Sequence, residues 1–220
     1  MNITYKKIIE NEEINAYLDM GNQVLGVLGY TDHSRKHAII VAENAAKILR
    51  KLGYSKREIE LARIAGFLHD IGNSVNRHDH AHSGAIMAFQ ILRGLGMNAE
   101  DIALIVSAIG NHDEATGGAV NPISAAIILA DKSDVRRNRV RNKEISTFDK
   151  HDRVNYAVLS SRLTTNVEKK VLHLDIELDE NSCSVLDYFE IFLERMLMCR
   201  RASELLGMQF KFTVNGNKVL

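Results

Sequence analysis

His69 and Asp70 stand side by side at the end of an apolar run, Ile64-Ala65-Gly66-Phe67-Leu68, and Ile71-Gly72-Asn73 follows them. A buried imidazole–carboxylate pair is costly unless its charge and hydrogen bonding are compensated, and a divalent cation does this well. His37 lies upstream, and His80, His112 and Asp131 lie downstream, each beside a helical pattern. Imidazole and carboxylate donors together suit Fe, Mn, Zn or similar ions rather than Ca. The lack of a Cys ligand argues against a structural zinc site. The order His…His-Asp…His…His…Asp points to a divalent-metal site able to activate a water.

Taken singly, each histidine has an ordinary reading. The chain holds nine of them, and a lone histidine is more often a surface or hydrogen-bonded residue than a ligand. Placement sets these apart. Ile14, Leu18, Gly21, Leu25 and Leu28 follow helical spacing up to Gly29. A connection through Tyr30–Ser34 leads to a second helix with His37 near its start and Ala38, Val41, Ala42, Ala45, Leu49 and Leu52 on one face. Ser55-Lys56-Arg57-Glu58 is a capping box opening a third helix, which runs through Ile59, Ala62 and Ala65 into the doublet. After a polar stretch from Ser74 to His82, a helix resumes through Ile86, Phe89, Ile91 and Leu92. Asn98 begins another, with Ile102, Ile105, Val106 and Ile109 inward, and Gly110 stops it just before His112. Asn121 and Pro122, the only proline, mark a cap and a first helical position for the helix that ends at Asp131. In a bundle such helix ends can converge on one pocket.

With those positions in hand, the sequence resembles the HD-domain superfamily of metal-dependent phosphohydrolases over roughly residues 30 to 140. His37-Ala38-Ile39-Ile40-Val41-Ala42 is similar to the family's first histidine with its Val-Ala continuation; His69-Asp70-Ile71-Gly72 is similar to the doublet; Ala130-Asp131-Lys132 is similar to the closing aspartate. The resemblance implies that His37, His69, Asp70 and Asp131 hold one metal. Members with two metals carry two further histidines, matched here by His80 and His112, and Asp70 would then bridge the ions. The implied chemistry is attack on phosphorus by a metal-activated water, with the ions stabilising charge on the phosphoryl oxygens. The implied cofactor is a divalent transition metal (Fe, Mn, Zn or similar), one or two ions, with Asp70, His69 and Lys132 as the catalytic candidates. His82 competes with His80 for the additional position, and His78 is also close in sequence. The chain departs from the cyclic-dinucleotide branch: Asn73 replaces its lysine, Asp113 its second histidine, and Gly117–Pro122 stands where a Gly-Tyr-Pro signature would be.

Other polar residues have two readings. His33, four residues before His37, shares its helical face if that helix begins early and would then line a substrate pocket; Asp32 reads equally well as an N-cap. Lys132 would contact a substrate phosphate or pair with a carboxylate. Arg136, Arg137, Arg139 and Arg141 would grip a polyphosphate or nucleotide, with Arg136 the nearest substrate candidate alongside His33 and His82. Asp134, Glu144 and Asp149 nearby favour a charge-balanced surface instead. A second doublet, His151-Asp152, does not follow an apolar run and reads as a junction.

After about residue 150 the period changes. Leu172, Leu174, Ile176 and Leu178 alternate with polar residues, as do Phe210, Phe212 and Val214 before the turn signal Asn215-Gly216. Val154, Tyr156 and Val158 suggest a third strand. Between the two clear strands a helix places Phe189, Phe192, Leu193, Met196 and Leu197 inward. The expected fold is mainly α, an HD-domain-like helical bundle over residues 1–150 with a small C-terminal α+β element over residues 151–220.

The 220 residues are 45% hydrophobic, enough for a substantial core, and Lys+Arg equals Asp+Glu at 28 each. Zero net charge and the absence of aromatics among the arginines argue against nucleic acid as a partner. No apolar run approaches the ~20 residues needed to span a bilayer, and the amino terminus lacks a secretion signal. The chain reads as cytoplasmic, with Cys183 and Cys199 reduced. The expected partner is a phosphorylated small molecule, nucleotides included; a homodimer through the C-terminal strands is a further expectation. Two other functions fit the same ligands. A regulatory module would bind a nucleotide without turnover, and a di-iron oxygenase would consume oxygen with ferrous iron.

Overall fold

Small residues govern how closely these helices approach. The structure, a computed structural model, describes residues 3–219. Helix α3 (Arg35–Lys51) crosses α4 (Lys56–Leu68) at Gly66, where a Cβ would stand 2.9 Å from the Cα of Ala42. Alanines 38, 42, 45 and 46 of α3 and 62 and 65 of α4 line the contact, and all are buried. Before them, α1 (Tyr5–Ile9) and α2 (Glu12–Val27) lead in, and α2 packs on the short 3-10 turn Ile71–Ser74 that follows the doublet.

Helix α5 (His80–Gly94) pairs with α6 (Ala99–Gly110), and α7 (Pro122–Lys132) runs through the middle. Residues 123–130 of α7 are buried on every side, as expected of a helix that is apolar all round. It packs against α3, α4, α6 and the last helix, α9 (Val185–Leu205). The expected caps are present. Ser55 and Glu58 form the capping box of α4, Asn98 accepts from the Asp101 amide, and Asn121 accepts from the Ser124 amide. Helix α5 starts at His80, earlier than the polar stretch suggested, and it turns Ile86 out to solvent.

The C-terminal part is a four-stranded sheet in the order β1-β2-β3-β4, crossed by α9 (Val185–Leu205). Strands β2 (Val171–Leu178) and β3 (Gln209–Val214) are parallel, with Leu172 opposite Phe210 and Leu174 opposite Phe212. The Asn215-Gly216 turn joins β3 to β4 (Asn217–Lys218), both turn residues having positive φ. The strand expected through Val154, Tyr156 and Val158 is corrected. Residues Lys150–Ala157 form α8, which Asp149 starts by accepting from the Asp152 amide at 2.7 Å. Val154 and Ala157 then point inward one helical turn apart. The third strand is β1 (Val158–Asn166), antiparallel to β2 at the sheet's edge. On α9 the inward stripe is Tyr188, Phe192, Met196, Cys199 and Ala202, while Leu193, expected inward, is exposed. Tyr188 stacks on Phe212 of β3, so the hydrophobic core runs from the helices into the sheet without a break. Cys183 and Cys199 are both free and buried.

Gly66 gives a direct test of the close crossing. Gly66→Ala is expected to lower stability by about 1–3 kcal/mol through overpacking. Gly94→Ala, with nothing within 4 Å of its added Cβ, is expected to be neutral or stabilising by up to ~1 kcal/mol. Denaturant unfolding of the two variants measures the difference.

Candidate metal centre

Helix ends place the site. His37 lies in the first turn of α3, His69 caps the end of α4, His80 opens α5, His112 follows α6, and Asp131 sits one residue from the end of α7. Gly72 lets this happen. A Cβ there would collide with the carbonyl oxygen of His80 and the amide of Gly84, so only glycine allows α5 to dock against the doublet.

The six residues expected from the sequence meet at one place. His37, His69 and Asp70 offer ligand atoms within 4.8 Å of one another, as do His69, His112 and Asp131, and Asp70, His80 and His112. Asp70 divides its carboxylate between two groups of imidazoles. Its Oδ2 is 3.2 Å from His69 Nε2 and 3.8 Å from His37 Nε2. Its Oδ1 is 3.4 Å from His80 Nε2 and 3.8 Å from His112 Nε2, and accepts from Asn73 Nδ2 at 2.8 Å. Asp131 Oδ1 lies 3.3 Å from His37 Nε2 and 3.7 Å from His69 Nε2.

Each imidazole uses its outer nitrogen to fix its orientation. His69 Nδ1 pairs with the Gly66 carbonyl at 2.8 Å, His112 with Ile109 at 2.7 Å, His80 with Arg77 at 3.1 Å, and His37 with the Asp134 carboxylate at 2.7 Å. Carbonyls and carboxylates only accept, so each Nδ1 donates and each ring turns its Nε2 inward. This is how metal-binding histidines are usually held. Nε2 of His37 and of His69 are fully buried and make no hydrogen bond. The Nε2 atoms of His80 and His112 face each other at 3.2 Å, close enough for one cation beside Asp70 to meet both. The donor set and these orphaned nitrogens fit a divalent metal.

Electrostatics agree. Burial works against a charged His69, but Asp70 and Asp131 outweigh it and push its pKa up to about 10. Burial likewise opposes ionisation of Asp70 and Asp131. His69 and His112 beside Asp70, and Lys132 with His37 and His69 beside Asp131, hold both well below the usual carboxylate range. Burial takes His80 down to about 4, Asp70 notwithstanding, so that ring is neutral near pH 7. The pocket is therefore anionic in carboxylates and holds a proton where a cation would sit.

The remaining candidates separate. Lys132 is buried between two carboxylates, 2.8 Å from Asp131 Oδ2 and 2.7 Å from Glu114 Oε2. It fixes the far oxygen of Asp131. His33 precedes α3 rather than sharing its face, yet it lines the cavity next to the cluster, its Nδ1 2.7 Å from the Thr31 carbonyl. His82 is on the outside of α5, exposed and 3.6 Å from Asp79, so it is His80 that enters the cluster. Arg136 grips Asp134 through Nε and Nη2 at 2.6 and 3.0 Å and is not part of the cavity wall. The arginine run neither grips the cavity as a group nor forms a solvated face. Arg137 donates to the Tyr156 carbonyl, Arg139 to those of Asp32 and Asp134, and Arg141 to Tyr30 and Asn22, tying loops together. Arg139 alone of the four lines the cavity. His151 and Asp152, read as a junction, sit at the start of α8 and also line it.

Sequence reasoning missed what supports the clustered side chains. Asp134 appeared only as a balancing charge. Its signal was the need of a buried His37 for an acceptor on its outer nitrogen, three residues beyond Asp131. Arg195 of α9, which binds Glu114 at 2.8 Å, left no local signal.

A helical bundle whose helix ends converge imidazoles and carboxylates in this order defines a metal-site protein of the HD type, and the chain belongs to the HD-domain family, whose model matches residues 35–154. It is 32% identical over 160 residues to an uncharacterized protein of Methanocaldococcus jannaschii, covering 62% of this chain and 61% of that one. It is 29% identical over 141 residues to Ribonuclease Y of Thermosipho melanesiensis, covering 60% of this chain and 27% of that one. The chain thus spans about three-fifths of the first relative and about a quarter of the second. Among solved structures it is similar to a predicted HD superfamily hydrolase from an uncultured Thermotogales bacterium, with a TM-score of 0.42 and 25% identity over 55% of this chain and 67% of that one. Among the described residues no helix is long and apolar enough to cross a membrane.

Asp134→Asn keeps the size of the group that orients His37 but removes its charge. It is expected to weaken Mn²⁺ binding about 10–100-fold, measured by competition with a chromophoric chelator. Because His69 holds a proton up to about pH 10, metal uptake at pH 7 should release protons, and affinity should rise with pH. Calorimetry in buffers of different ionisation enthalpy reads that release directly.

Proposed function

We propose that this protein is a metal-dependent phosphohydrolase that cleaves a phosphate ester or anhydride. The observation that supports this best is Asp70. Its two oxygens face separate sets of imidazoles, and the cluster opens onto a cavity of about 310 Å³ lined by Arg77, Arg139 and Arg195. Its donor set suits one or two Fe, Mn, Zn or similar ions. His37, His69, Asp70 and Asp131 would hold one ion; Asp70, His80 and His112 would hold a second. Such ions supply an acidified water and positive charge for the phosphoryl oxygens.

The chain's own residues have distinct parts in this reading. Asp70 ties the two halves of the site together, and Asn73 steadies its Oδ1. Lys132 keeps Asp131 Oδ2 turned away from the imidazoles, leaving Oδ1 toward them. Asp134 keeps His37 in one tautomer. The arginines offer charge-assisted donors to an anionic substrate, and Tyr30, Leu28 and Phe192 supply apolar wall. A nucleotide, with phosphate and ring, matches such a mixture. RNA fragments belong in the substrate screen because one relative is named Ribonuclease Y.

Protein purified without added metal should carry a transition metal by elemental analysis, and a phosphate-release screen over nucleotides, sugar phosphates and short RNAs should find a substrate. Asp70→Ala and His69→Ala are expected to lose the metal and to bring turnover to background. Turnover that survives both changes overturns the reading.

A further inference from the structure

The cavity over the metal cluster is not built by residues 35–154 alone. Phe192 and Arg195, from α9, form part of its wall. Arg195 reaches in from 81 residues beyond Glu114 in sequence, and its Nε donates to Glu114 Oε1 at 2.8 Å. Glu114 meets Lys132, and Lys132 meets Asp131, so an unbroken row of ion pairs joins α9 to the cluster. The ring of Phe192 lies 4.7 Å from the guanidinium carbon and supports it.

That bonding leaves Arg195 with work undone. A guanidinium carries five N–H donors in a planar fork, and among the described residues only Nε is hydrogen-bonded. Neither Nη has a hydrogen-bond partner, while the side chain is 30% exposed within the cavity wall. Two of the other cations there are more committed: Lys132 is held by two carboxylates and Arg139 by two backbone carbonyls. Arg77 lies over the Tyr30 ring and uses only Nη1, at 3.3 Å from Asn73 and 3.4 Å from His80, with no carboxylate to orient its fork. Glu114 and Phe192 therefore orient a guanidinium whose free edge is available for a planar pair of oxygens.

We propose that Arg195 binds the phosphoryl oxygens of the substrate, so that α9, outside the family match, completes the site. This rests on the phosphohydrolase reading for the identity of the anion. Inorganic phosphate is the probe, titrated by calorimetry into Mn²⁺-loaded wild type, Arg195→Gln and Arg195→Lys.

Arg195→Gln is expected to weaken phosphate binding about 10-fold or more, and Arg195→Lys by less, since lysine keeps the charge but not the fork. Metal content should not change in either. With an ester that the protein hydrolyses, KM should rise more than kcat falls. Arg195→Lys, which can still pair with Glu114, carries the test if the glutamine variant folds poorly. Phosphate affinity within about twofold of wild type in the folded variants overturns the proposal, as does a loaded wild type that binds no phosphate. Turnover in the wild type with Arg195-independent phosphate binding sinks this proposal alone. Arg195-dependent binding with no turnover of any ester sinks the hydrolase reading alone.

Discussion

One buried carboxylate sets the terms for everything around it. Asp70 is 7% exposed and sits among four imidazoles that are themselves buried. In water such a group is well solvated; here that solvation is replaced by Asn73 and by histidine nitrogens. Burying a charge is tolerable only when it is paired and hydrogen-bonded. The fold must therefore deliver at least four helix ends to one point with little freedom left. The glycines at 66 and 72 and the alanine faces of α3 and α4 serve that end, because each lets backbone approach backbone where a larger residue would hold the helices apart.

Around that centre the charges alternate in shells. Asp134 takes the outer nitrogen of His37 and is itself held by Arg136, while Arg139 anchors its backbone and ties it to the loop before α3. On the other side Lys132 takes the outer oxygen of Asp131, and Glu114 takes Lys132. Each inner group is thereby oriented by a polar partner one step farther out. Burial alone would push Glu114 toward protonation, but Lys132 and Arg195 hold it ionised, well below its ordinary range. The basic run after α7 has the same logic. Its arginines mostly satisfy carbonyls of loops that would otherwise cross the surface unpaired, which is why they neither stay in solvent nor converge on the cavity.

What was legible in the sequence follows from how local each signal is. The helices carrying His37, His69-Asp70, His112 and Asp131 could be read because caps, glycines and apolar spacing all act within a few residues. The alternation of β2 and β3 showed because one face of each is fully buried. Strand β1 was missed because it is an edge strand with only partial burial, so its apolar period is faint. Residues 150–157 misled because three alternating residues are too few to outweigh an N-cap such as Asp149. The choice between His80 and His82 turned on where α5 begins, and its first residue lies in a left-turning approach through Asp79 that no periodicity records.

The parts that stayed hidden share a cause. Asp134 meets His37 across 97 residues, and Arg195 meets Glu114 across 81. Both contacts depend on tertiary packing, the second on the stripe of Tyr188, Phe192, Met196 and Cys199 that seats α9 against α7 and the sheet. Because that stripe also buries Phe212 and its neighbours, the sheet is the rear support of a helix whose front edge faces the cavity. A loss of packing in the sheet would move Arg195 and Phe192 together, and the ion pairs through Glu114 and Lys132 carry that displacement toward Asp131. The C-terminal strands are thus tied both to the cavity wall and, through α9 on α7, to the cluster that Asp70 organises.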